Sequence, residues 1–142
     1  MAFIMVGTII LPSCKKYADG GSKGKAEKRI KISWKLESYY MDGVDATSGL
    51  LISGYIEEYK EDGSYVRSYT DSSGDAFSET GTWQFDSDKD QIKINGVSSL
   101  ELSAQHSTVS TSDYDILKLK KDELWYSYSN GGSLHEFHLT PN

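Results

Sequence analysis

Hydrophobic and polar residues alternate along most of this chain with a period of two. Ile30, Ile32, Trp34 and Leu36 are separated by Lys31, Ser33 and Lys35, the pattern of a strand with one buried face. It predicts a first strand from Arg29 to Tyr40. Further on, two runs rich in Tyr, Ile and Val flank Glu61-Asp62-Gly63, the form of a hairpin with Gly63 in the left-handed region. Pairing Lys60 with Ser64 sets Tyr59 opposite Tyr65, Glu57 opposite Arg67 and Tyr55 opposite Tyr69, all on one face. The other face is mostly polar, so this ribbon covers a core on one side only.

The same period continues to the C-terminus. Phe77, Glu79, Gly81, Trp83 and Phe85 share a face, and Ile92 and Ile94 point inward in the next strand, after the polar turn Asp86–Asp90. A sixth strand runs to about Lys120, where Ile116, Leu117 and Leu119 cannot all face inward without a bulge. Leu124, Tyr126 and Tyr128 oppose Trp125 in the seventh, and Asn130-Gly131-Gly132 turns the chain into an eighth, Ser133–Thr140. Eight consecutive antiparallel strands without a helical period predict an all-β fold, an up-and-down barrel; a β-sandwich is the alternative. The longer connections, 41–51, 71–75 and 96–107, fall at one end, the expected mouth. In the last of these, Leu100 and Leu102 are candidates to cover the core. The tight turns fall at the other end, where the first strand starts.

Charge changes the picture at the N-terminus. Lys15 to Arg29 carries +4, while Ile30 to Asn142 carries −10. A domain that acidic repels phosphates, which excludes nucleic acid as a partner. The apolar run Ala2–Leu11 is too short to span a membrane, which takes about 20 residues. It ends in Leu11-Pro12-Ser13-Cys14, which resembles the lipobox of bacterial lipoproteins. That resemblance implies removal of signal residues 1–13, diacylglyceration of the Cys14 thiol and acylation of its amino group, making the membrane a partner. An ordinary secretory signal with an incidental cysteine is the alternative. Cys14 is the only cysteine, so no intrachain disulfide forms. Residues 14–28, with Gly20-Gly21-Ser22-Lys23-Gly24-Lys25, read as the lipidated cysteine and a flexible basic tether, a coil of about 20 Å. Residues 29–142 are the expected barrel domain.

The folded part resembles the lipocalin-like lipoproteins of Bacteroidota. The residues carrying this are Ile32-Ser33-Trp34-Lys35-Leu36, Tyr59-Lys60-Glu61-Asp62-Gly63-Ser64-Tyr65, Gly81-Thr82-Trp83, and Ile116-Leu117-Lys118-Leu119 with Leu124. The resemblance implies a plug of the barrel's closed end at Trp34 and a small, partly apolar ligand. It also implies the outer membrane, since lysines follow Cys14 directly; with Asp19 alone in place of an acidic export stretch, the periplasmic side is expected, and the protein is expected to be a monomer.

Glu57 and Arg67 are the candidate site, a charged pair on the aromatic face. As a ligand site, Arg67 anchors a carboxylate or phosphate, with Glu57, Tyr55, Tyr69, Tyr126 and Tyr128 lining the cavity. As architecture, the two form a cross-strand pair among core tyrosines. No metal or cofactor is expected. His135 and His138 are three apart on a strand and point to opposite faces, and His106 lies in a loop. In Asp86-x-Asp88-x-Asp90, Gln91 replaces the glycine a calcium loop needs. No nucleophile-elbow motif is present, so the chain reads as a binder and not an enzyme. The alternative function is an interaction module that binds protein or glycan through rim loops over a filled core.

Overall fold

The computed structural model describes residues 15–97 and 112–142. Cys14, signal residues 1–13, Leu100, Leu102 and His106 lie outside the described residues. The described residues form nine strands: β1 Ser33–Met41, β2 Val44–Asp45, β3 Ile52–Tyr59, β4 Ser64–Asp71, β5 Ala76–Phe85, β6 Gln91–Asn95, β7 Ser112–Leu119, β8 Leu124–Asn130 and β9 Ser133–Pro141. From β3 onward each strand pairs antiparallel with the next, and β1 pairs with both β3 and β9. The β1–β9 ladder runs from Trp34 opposite Pro141 to Met41 opposite His135. β1 and β3–β9 therefore close an eight-stranded barrel, and β2 is a short extra strand on the end of β1. A sandwich would leave β1 and β9 as separate edges.

Local chemistry sets the register. In the β3–β4 hairpin the Lys60 amide donates to the Ser64 carbonyl at 2.9 Å, and Gly63 adopts φ +83°. Asp62 Oδ1 accepts from the Ser64 amide at 2.9 Å and braces the turn. Asp86 Oδ1 accepts the amides of Asp90 and Gln91, so this aspartate does turn work. The predicted bulge occurs in β7, where the register shifts between Ile116 and Lys118.

The N-terminal segment departs from expectation twice. The first strand starts at Ser33, because Ala26–Ile30 forms a helical turn, α1. Ala26 and Ile30, four apart, are both fully buried, whereas Ile32 is 37% exposed. Ile30 thus reaches the core from a helix, which brings its carbonyl to the Trp34 indole N–H at 3.0 Å.

The expected tether is also packed rather than free. β6 has five residues and pairs only with the first half of β7. The exposed edge of β7 beyond it would leave ladder groups unpaired. Residues 15–22 cover that edge: the Asp19 amide donates to the Leu117 carbonyl at 2.9 Å, and the Leu119 amide to the Gly20 carbonyl at 3.2 Å. Tyr17 is buried in the same segment. The Arg29 guanidinium, through Nη1, donates to the Leu119 carbonyl at 2.9 Å. The chain therefore enters the barrel at the end with the tight turns, and α1 and Trp34 close that end.

Candidate ligand-binding site

Alternation along β3 sends Tyr55, Glu57 and Tyr59 to the interior, and all three are buried. Glu57 has no exposed surface, and its two carboxylate oxygens take three phenol hydroxyls. Tyr59 donates to Oε2 at 2.5 Å and Tyr126 to Oε1 at 2.5 Å, while Tyr55 also donates to Oε1. An acceptor-only carboxylate and three donors satisfy each other without water. Burial pushes the hydroxyls of Tyr55, Tyr59 and Tyr126 well above the usual phenol range, and the Glu57 charge beside them adds to the shift. Phe137 stacks on Tyr126 at 5.2 Å, and Tyr114 stacks on its ring at 4.4 Å.

Arg67 lies directly across from Glu57, as the register predicts, but its ion pair goes to the other neighbour. Its Nε and Nη2 donate to Glu79 Oε2, at 2.9 and 2.5 Å. Glu79 faces Arg67 across the β4–β5 ladder. The interior thus holds a tyrosine-bound carboxylate and, beside it, an Arg67–Glu79 pair, rather than a Glu57–Arg67 pair.

The remaining candidates separate. Tyr128 is half-buried beside His135, whose ring lies 5.1 Å away, and His135 Nδ1 is 2.7 Å from the Tyr39 hydroxyl. Burial pushes the Tyr128 phenol up and pulls the His135 imidazole down. His138 is on the outer face, stacked on Trp125 at 3.9 Å. Among the described residues no three His, Cys, Asp or Glu side chains group as metal ligands. Tyr69 belongs to the rim, where its ring stacks on Phe77 at 5.5 Å. There a cavity of about 360 Å³ is lined by Leu51, Ile52, Tyr69, Asp71, Ser72, Ser73 and Phe77. It sits where the 42–51 and 72–75 connections lie, opposite α1.

Glu79, Tyr59 and Tyr114 belong to this interior although the sequence did not single them out. Their positions on the inward face are legible from the period of two. Their roles are not, because they depend on which of two neighbouring strands each side chain leans toward.

No protein-family model matches this chain, and no curated protein matches its sequence. Solved structures do match. A lipocalin-like protein from Bacteroides uniformis ATCC 8492 superposes with a TM-score of 0.58 at 14% identity, covering 80% of this chain and 99% of that one. Apocrustacyanin C1 superposes with a TM-score of 0.50 at 12% identity, covering 89% of this chain and 72% of that one. The fold is a lipocalin-like β-barrel. At such identities the likeness extends to the fold and not to any particular ligand.

Proposed function

We propose that this protein is a lipid-anchored carrier of a small, partly apolar molecule, which it seats at the open end of the barrel. The observation that carries this reading is a barrel closed at one end by α1 and Trp34, with a cavity of about 360 Å³ at the opposite rim. That volume is at the small end of ligand pockets, and its walls set Leu51, Ile52, Tyr69 and Phe77 against Asp71, Ser72 and Ser73. The seat is the rim around Tyr69, since Tyr55, Tyr126 and Glu57 already satisfy one another below it. Acyl chains on Cys14 hold the protein to the outer membrane, on its periplasmic side. Because the chain joins the barrel at the closed end, the mouth then faces away from the bilayer. Binding, not catalysis, is the activity.

One observation favours a second reading, that of a surface interaction module. The interior from Trp34 up to Glu57 is occupied by its own side chains. Native mass spectrometry of the full-length protein, purified in detergent from the organism that encodes it, separates the readings. The carrier reading expects a retained small molecule and a mass increment from acyl chains that Cys14→Ala abolishes. A co-purifying protein or glycan with no small molecule would transfer the function to the rim loops.

A further inference from the structure

Resting on the reading that the rim cavity holds the ligand, its chemistry narrows the class of molecule it takes. Among the described residues that line it, the one charged side chain is Asp71, beside Ser72 and Ser73. Asp71 Oδ1 is committed to its own turn, accepting the amides of Ser73 and Asp75 at 2.9 Å each. Oδ2 accepts from no described residue and remains for a ligand. The facing walls are the ring pair Tyr69–Phe77, stacked at 5.5 Å and 16°, with Leu51 and Ile52. Aromatic faces carry negative potential and attract cations.

The surroundings have the same sign. Three of the connections at this end, 42–51, 72–75 and 131–132, contain Asp42, Asp45 and Asp75 and no lysine or arginine. Hydrogen bonds from the Leu134 amide and Ser133 hold Asp42 below the usual carboxylate range, and bonds from Thr47 do the same for Asp45. Both stay negative well into mild acid. The nearest cation is Arg67, with its Cζ 6.0 Å from the Tyr69 ring centre. It is already bound through two nitrogens to Glu79. An anionic ligand in this cavity would lie against the Asp71 carboxylate. A cation meets the Asp71 carboxylate and the aromatic wall that Tyr69 and Phe77 form together.

We infer that the rim cavity binds a cationic amphiphile, a compact aromatic or aliphatic body carrying a protonated amine, with the amine at Asp71 and the body between Tyr69, Phe77 and Ile52. The Arg67–Glu79 pair is then the floor of the site and not its anchor, and the acidic mouth draws amines in and repels fatty acids and phosphates.

Three probes of one shape test this by calorimetry on the full-length protein: 2-(1-naphthyl)ethylamine, 2-(1-naphthyl)ethanol and 1-naphthaleneacetate. The amine should bind about threefold or more tightly than the alcohol, as a half-exposed charge pair gives, and the acetate most weakly. Asp71→Asn retains an oxygen for the turn and should bring the amine and alcohol to equal affinity. Phe77→Ala, at a position already 44% exposed, should weaken all three alike. Equal binding of amine and alcohol by the unaltered protein, or preference for the acetate, overturns the charge inference and leaves the carrier reading standing. Binding that Phe77→Ala does not touch overturns the placement at the rim. No binding of any probe removes the inference and the rim carrier together.

Discussion

A single side chain organises the interior. Glu57 is a carboxylate without solvent, and its stability rests on Tyr55, Tyr59 and Tyr126. Removing the acceptor leaves three buried hydroxyls to find new partners, each at about 1–3 kcal/mol. Glu57→Ala should therefore lower the urea midpoint by the equivalent of about 3 kcal/mol or more. Glu57→Gln, which retains one acceptor oxygen, should cost less. Equal midpoints for all three proteins would mean that the phenols do not depend on Glu57. The positions of Glu57 and Arg67 were legible, because alternation assigns a face and the Glu61-Asp62-Gly63 turn assigns a register. The partner of Arg67 was not. A strand inside a sheet has a neighbour on each side, and only the lean of the side chain toward β5 selects Glu79.

At the scale of elements, the N-terminal segment shows how composition misleads when the partner is distant. Glycines and lysines over 20–25 read as a tether, yet Gly20 and Gly21 are what let the backbone lie against β7. Gly21 has φ +101°, and a Cβ there would sit 2.1 Å from the Leu119 carbonyl oxygen. Gly21→Ala should dislodge residues 15–22 while leaving the barrel closed. Limited trypsin digestion should then cut after Lys16 and Lys23 several-fold faster than in the unaltered protein. Equally fast cutting in both would return the segment to a free tether. The unpaired edge it covers exists because β6 is short, a fact written some seventy residues further along the chain. The start of the first strand was misplaced for a related reason. Ala26, Ile30 and Trp34 repeat every four residues, and Ile30, Ile32 and Trp34 fit a strand. Burial under the barrel end selects the helical reading for Ile30.

At the scale of the molecule, tyrosine burial links stability to alkaline pH. Burial pushes the phenols of Tyr17, Tyr39, Tyr55, Tyr59, Tyr65, Tyr126 and Tyr128 up, seven of the ten in the chain. An unfolded tyrosine loses its proton near pH ~10. Above that pH the unfolded state binds fewer protons than the folded one, so stability that is complete below it falls as pH rises. Titration of the phenolate absorbance should show fewer than half of the tyrosines ionising before unfolding, and the rest cooperatively with it. A smooth titration of all ten near pH ~10 would mean that the interior is wet.

The division between sequence and structure follows from the range of the forces. The strands from β3 onward, the hairpin turns and the β7 bulge depend on neighbours a few residues away, and the sequence alone determined them; the start of β1 and the short β2 it did not. Closure through β1 and β9, the docking of residues 15–22, the Glu79 pairing and the rim cavity around Tyr69 were decided only by the tertiary structure. Each of these depends on what the curvature of the sheet brings together from far apart in the chain, and the alternation of side chains carries no record of curvature.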